Sequence, residues 1–166
     1  MRHIIYTQAD TYPVALLLKA TAFVASDVLT HYVEPLENQG LSRNDLIACT
    51  IEYNEHGKAP VAFIKDYLAL LLPELQALGV KTIYVADSAY FKVLTRNGKA
   101  EPHYGYVLPC KMKGFEAFEV VLGLNHQALI YNPDLQEKLD LSLKTLATSV
   151  LGTYQPLGAS IIHSAS

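Results

Sequence analysis

Five cations crowd one stretch of this chain. Lys92, Arg96, Lys99, Lys111 and Lys113 stand between residues 92 and 113 against Glu101 alone. That segment carries +4, and the rest of a chain of net charge -3 carries -7. Tyr90, Phe91, Tyr104, Tyr106 and Phe115 are interleaved with the cations. A single-stranded nucleic-acid groove needs this mixture, with charged groups for the phosphates and aromatic faces for the bases. The same composition also suits a solvated loop above an ordinary core, and the sequence leaves both readings open. Asn125-His126 follows an apolar run and Gly123. The pair could hydrogen-bond a base edge or polarise a carbonyl, or it could be a plain turn. Asp87 closes another apolar run, where a carboxylate is either catalytic or the N-cap of a helix, and capping is the commoner role. Cys110 lies between Pro109 and Lys111, where cations can lower a thiol pKa, but no base is paired with it. Cys49, inside a β-prone run, reads as a small buried hydrophobe.

Other chemistries lack their signatures. The chain has no Gly-x-Gly-x-x-Gly, no Gly-x-x-x-x-Gly-Lys-Ser/Thr and no Gly-x-Ser-x-Gly, so a phosphate cradle and a hydrolase nucleophile elbow are unsupported. The six histidines, at 3, 31, 56, 103, 126 and 163, are scattered without metal-ligand spacing, and no metal or other cofactor is expected. Two cysteines cannot build a disulfide framework or a four-thiolate site, and they suit a reducing cytoplasm. A length of 166 residues fits one domain. With 51% apolar and only 17% charged residues, that domain buries a real core and is not disordered. A mean hydropathy of +0.16 suggests that some of its surface packs on something else. No apolar run approaches the ~20 residues of a membrane span, and the first residues lack the apolar stretch of a secretory signal. No membrane partner is expected.

The elements that must position these groups follow from periodicity. His3 to Thr7 reads as a buried strand, and residues 8 to 13 as a loop. Val14 to Ala22 reads as helix. Asp27 to Glu37 continues a helix, with Val24, Val28, Tyr32 and Leu36 at spacings of four. Pro35 should kink or end it, and Gly40 should cap it. Leu46 to Tyr53 is a second strand. Phe63, Tyr67, Leu71, Leu75 and Leu78 mark the strongest helix, closed by Gly79. Thr82 to Ala86 is a third strand leading into a short helix from Ala89 to Leu94. Tyr104 to Leu108 holds at most a short strand. Phe118 to Leu122 is a fourth strand, and a last helix carries Leu135, Leu139, Leu143, Leu146 and Val150. Strands alternating with helices predict an α/β fold in three αβα layers, with a mostly parallel central sheet of four strands. Ligands then gather at the carboxyl ends of the strands. On this reading those ends are Thr7 to Tyr12, Tyr53 to His56, Asp87 to Tyr90 and Asn125 to Tyr131.

Several segments together carry a family resemblance. They are Gly40-Leu41-Ser42-Arg43-Asn44-Asp45 before a strand, the Leu-rich helix from Phe63 to Leu78, the strand Thr82 to Asp87, and Gly123 to Ala128 followed by Tyr131-Asn132-Pro133. In order and spacing they resemble the uracil-DNA-glycosylase-like superfamily. The resemblance implies that fold. It also implies a water-directing role for Asp10, a base-reading position near Thr50, and a base-anion role for Asn125 or His126. The iron-sulfur cysteines of that superfamily are absent, and so are the glycines of its first loop. Lys81 to Lys92, Tyr104 to Cys110, Asn125 to Pro133 and the ending from Gly152 to Ala165 are similar to the N-terminal region of certain bacteriophage family A DNA polymerases. There a glycosylase-like domain precedes a 3′–5′ exonuclease domain and the polymerase domain.

The resulting expectation is a glycosylase-like domain over residues 1–152 and a linker over 153–166 leading into an exonuclease domain. The domain would be non-catalytic and would bind DNA or brace the downstream exonuclease and polymerase domains of the same chain, in the cytoplasm of the host cell. Its DNA-binding residues would be Lys92, Arg96, Lys99, Lys111, Lys113, Tyr104 and Tyr106. Two alternatives stand beside it. One is an active nucleobase-DNA glycosylase using Asp10, Asn125 and His126. The other is a docking module for a replication protein.

Overall fold

The computed structural model describes residues 2–154. Six strands form one sheet: β1 (His3–Ile5), β2 (Val14–Lys19), β3 (Leu46–Ile51), β4 (Thr82–Val85), β5 (Val107–Pro109) and β6 (Glu119–Leu122). Their order across the sheet is β1-β3-β2-β4-β6-β5. β2 is parallel to both of its neighbours, β3 and β4, and β4 is parallel to β6. The edge strands β1 and β5 run antiparallel to β3 and β6. The fold is α/β as expected, but the sheet is six-stranded and mixed, which corrects the expected four-stranded, mostly parallel sheet.

The largest correction is β2. Val14–Lys19 was expected to be helical and is instead a central strand, with Val14 to Leu18 fully buried. A strand covered on both faces reads as an unbroken apolar run, and periodicity alone cannot separate such a run from a buried helix. His3–Ile5, expected to be a buried strand, is a half-exposed antiparallel edge.

Alternation along the strands sorts the core into two layers. Ala15, Leu17, Ile47, Cys49, Ile83, Val85, Val120 and Leu122 face one side. Helices α3 (Val61–Ala77) and α4 (Ser88–Thr95) cover them with Ile64, Leu68, Leu72, Leu75, Phe91 and Leu94. The stripe of α3 is turned slightly from the expected one, since Phe63 and Tyr67 only flank the buried face. Val14, Leu16, Leu18, Leu46, Ala48, Tyr84 and Val121 face the other side. Helices α1 (Ala25–Val28) and α2 (Glu34–Asn38), the stretch Leu29–Val33 between them, and α6 (Gln136–Leu151) cover that side through Val28, Tyr32, Leu36, Leu139, Leu143 and Leu146. Each fully buried Leu of this kind contributes about 1.5–3 kcal/mol of transfer free energy.

The connections explain why helices lie on both faces. The chain leaves β2 toward β3, then returns past β2 to β4 and continues to β6. Right-handed crossovers in opposite directions place their helices on opposite faces. The direction reverses between β2 and β4, so the crevice at their carboxyl ends is the topological switch point.

Pro35 does not break its helix. A π-type stretch, Leu29–Val33, joins α1 to α2 just ahead of it. The wider turn accommodates the missing Pro N–H and sets the phase of His31 and Tyr32. α4 ends in Arg96, and the short α5 (Ala128–Tyr131) precedes α6. Of the expected linker, Thr153 and Tyr154 are described. The Tyr154 hydroxyl accepts the Val107 N–H at 3.0 Å. Leu157, Ile161 and Ile162 lie outside the described residues. No helix among the described residues is long and apolar enough to cross a membrane.

Candidate functional site

The carboxyl ends of the parallel strands are laced together by side chains. After β3, Tyr53 donates its hydroxyl to Asp87 Oδ2 at 2.6 Å, beyond the end of β4. Asp87 Oδ1 accepts the Tyr90 N–H at 3.0 Å, so both oxygens are engaged and Asp87 is the N-cap of α4. The Lys19 ammonium lies 6.0 Å from the Tyr53 ring centroid. After β2, the Thr21 carbonyl accepts a hydrogen bond of 3.2 Å from Gln127 Nε2, in the loop after β6. The loop following β2 is therefore residues 20–24, and it takes the place expected for Thr7 to Tyr12.

Asn125 and His126 sit at this edge and are both buried. Asn125 Oδ1 accepts the Gln127 N–H at 3.0 Å, while its Nδ2 has no hydrogen-bond partner. The His126 N–H donates to the Tyr32 hydroxyl at 2.7 Å, and His126 Nδ1 lies 3.3 Å from the same oxygen. Tyr32 in turn donates to the Leu124 carbonyl at 3.3 Å. His126 Nε2 faces Asp27 Oδ2 at 3.8 Å. The His31 ring stacks on the His126 ring with centroids 4.3 Å apart and planes 12° apart. Burial pushes the His126 pKa below its ordinary value and His31 adds to that shift, while Asp27 opposes it. Burial pushes the Tyr32 hydroxyl far up. Asp27, His31 and His126 each place a ligand-capable atom within 4.8 Å of the others. Asp27 and His31 were not among the expected site residues. The available signal was Asp27-x-x-x-His31, which puts a carboxylate and an imidazole on one helix face. Nothing local in the sequence pairs either residue with His126, about a hundred positions away.

Asp10 lies at the other end of the sheet. It is exposed, in the connection that enters β2. Two residues later the Tyr12 N–H bonds to the Leu78 carbonyl, where α3 ends and the chain turns into β4. The fold thus does not bring Asp10 together with Asn125 and His126. Thr50 is buried in β3, with its hydroxyl 3.1 Å from Glu52 Oε1.

The cations form a second feature, on the face covered by α3 and α4. An open groove of about 520 Å³ runs between the two helices, lined in part by Ile64, Lys65, Lys92, Val93, Arg96 and Gly98. Adjoining depressions bring in Lys99 next to Lys92 and Gly98, and Lys111 next to Arg96 and Asn97. Lys92, Arg96, Lys99, Lys111 and Lys113 are all exposed. Glu101, the segment's acid, pairs instead with Lys138. Arg96 follows α4 in the left-handed conformation with φ 54°, and it is the one non-glycine residue with positive φ among the described residues. Only glycine adopts that conformation without strain.

The aromatic half of the expected groove is mostly core. Tyr90 and Phe91 are fully buried, and Phe115 packs on Phe118 with centroids 6.2 Å apart. Tyr104 is half-buried with the Lys138 ammonium 5.0 Å from its ring centroid, and Tyr106 is half-buried. The thiols are core as well. Burial pushes the Cys110 pKa up, not down as its neighbouring lysines suggested, and pushes Cys49 up to about 12. A lysine adjacent in sequence points to solvent while the sulfur points inward, so the two do not meet.

No protein-family model matches this chain, and no curated protein matches it.

Proposed function

We propose that this chain is a non-catalytic, uracil-DNA-glycosylase-like domain of a phage-type replicative polymerase that holds DNA by its phosphates. The observation carrying this reading is the groove between α3 and α4. Lys92, Arg96, Lys99 and Lys111 rim one continuous surface, and none of them makes an ion pair among the described residues. Unpaired cations on an otherwise acidic body favour a polyanion at that place and repel it elsewhere. The resemblance of the sequence to glycosylase-like polymerase domains selects DNA as that polyanion. It also makes the exonuclease and polymerase domains of the same chain the intramolecular partners. The separation of Asp10 from Asn125 and His126 across the sheet supports the non-catalytic part of the reading. With most rings in the core, the contact is to backbone phosphates more than to stacked bases.

The test is the salt dependence of binding. Fluorescence anisotropy with labelled oligonucleotides between about 50 and 200 mM salt gives the slope of log affinity against log concentration. Replacing Lys92, Lys99 and Lys111 by Gln should flatten that slope by about two units on single strands and nearly three on duplex. An unchanged slope sinks the proposal. One observation favours a second reading, an active nucleobase-DNA glycosylase. The unpartnered Nδ2 of buried Asn125 is a spare donor beside His126. Release of a free base that disappears in Asn125→Asp would establish it.

A further inference from the structure

The geometry points to a divalent transition-metal site, suited to Zn2+, formed by Asp27, His31 and His126. Asp27 and His31 come from one face of the helix that follows β2, and His126 from the loop that follows β6. All three lie at the carboxyl edge of the parallel strands, where this architecture places its ligands. Tetrahedral Zn2+ with bonds of about 2.0–2.1 Å sets its ligand atoms about 3.4 Å apart. His126 Nε2 and Asp27 Oδ2 are already 3.8 Å apart. That separation is long for a direct hydrogen bond and only about 0.4 Å wider than that of two ligands on one such ion. His31 completes the triangle within 4.8 Å. Asp27 and His31 are partly exposed and sit on one helix turn, so rotations of their side chains close the remaining gap. The near-parallel rings must tilt apart as they do so.

The second observation is the support behind His126. Its Nδ1 faces the Tyr32 hydroxyl at 3.3 Å, and that hydroxyl faces the Leu124 carbonyl at the same distance. With Nδ1–H donating to Tyr32, and Tyr32 donating to Leu124, the Nε2 lone pair is left directed at Asp27. Metal-binding histidines are oriented by this kind of outer hydrogen bond. The donor set chooses the ion. Two imidazoles and one carboxylate suit zinc-like divalent ions and discriminate against Mg2+ and Ca2+, which require mainly oxygen donors. Cys49 and Cys110 are buried in the core on the other face of the sheet and do not compete. Three protein ligands leave a fourth position for water or for an oxygen of a bound anion.

The test uses the full chain, stripped with a chelator, titrated with ZnCl2 by calorimetry and followed by thermal melting. One equivalent should bind and raise the melting temperature. His31→Ala and Asp27→Asn alter partly exposed groups and should each weaken binding at least 10-fold. Tyr32→Phe should weaken it about 10–100-fold, as loss of an outer-shell partner does. Co2+ should give the intense visible bands of a four-coordinate site in the wild type and not in the Asp27→Asn, His31→Ala double variant. Zn2+ binding of equal strength in the wild type and that double variant overturns the assignment, as does the absence of any binding.

Discussion

Arg96→Gly should make the protein more stable and, on the proposed function, weaken its hold on DNA. A left-handed residue with a Cβ costs about 1–2 kcal/mol relative to the ordinary helical conformation, and Arg96 holds φ at 54° where most helices place glycine. Glycine removes that strain, but it gives the unfolded chain extra freedom worth about 0.4–1 kcal/mol. The net gain is about 0.5–1 kcal/mol. For a domain of this size that is a rise of about 1–4 °C in melting temperature, readable by scanning calorimetry. The same change removes one of the cations rimming the groove, so the salt slope on duplex DNA should fall by about one unit. Asn tolerates the left-handed region better than most residues, and Arg96→Asn should show both effects in smaller measure on stability and in full on the slope. A fall in melting temperature would mean that the Arg96 side chain makes a stabilising contact, and the strain account would be refuted. A slope identical to wild type would remove Arg96 from the DNA contact. Strain retained at an exposed position is expected where the side chain itself serves a function.

Two further outcomes test the fold. A Cβ at Gly123 would fall inside the ring of Tyr84, which is held between Leu124 and Ser142 by its hydroxyl; Gly123→Ala should therefore cost about 3 kcal/mol, and a Tyr84→Ala background should recover about 1–3 kcal/mol of that in a double-mutant cycle. A cost under about 0.5 kcal/mol would show that the loop after β6 shifts freely. Glu37 receives two hydrogen bonds of 2.8 Å from Arg43, which hold its pKa below the usual carboxylate value. Its contribution is thus present above the ordinary carboxylate pKa and lost as the pH falls through the depressed one. Urea midpoints between pH 6 and pH 3 should decline less in Glu37→Gln than in wild type, and parallel curves would contradict the assignment.

Much of this fold was legible in the sequence, and the exceptions share a cause. α3, α6, β3, β4 and β6 announced themselves because their apolar spacing matches one element type and their ends carry caps such as Asp87 and Gly79. β2 failed because a strand buried on both faces has no alternation to read, and its Ala15-Leu16-Leu17-Leu18 run is helix-prone, whereas the equally buried β3 and β4 carry β-branched and aromatic residues. That misreading put Thr7 to Tyr12 at the carboxyl edge in place of residues 20–24, and with the family resemblance it brought Asp10 into a site from which the fold excludes it. The cations were legible because charge is local and solvent-facing. Tyr90 and Phe91 stayed open between two roles because an aromatic's spacing does not tell a stacking platform from a core ring, and the fold makes them core. Asp27 and His31 were missed because their partner His126 is reached only by folding. Pairings of that span are set by topology, which no window along the chain contains.

The short outer strand β5 has a consequence for how the molecule meets copies of itself. Val107 and Pro109 share the side of β5 that turns away from β6, since alternate residues of an antiparallel edge point their N–H groups outward. Pro109 has no N–H to offer, and the Val107 N–H is taken by the Tyr154 hydroxyl. This edge of the sheet thus presents no free donor at either outward position to an incoming strand. In a chain with 51% apolar residues, a sticky edge would invite sheet-to-sheet growth into aggregates. A proline and a tyrosine block that route on this side, and a Pro109→Val, Tyr154→Phe pair would reopen it.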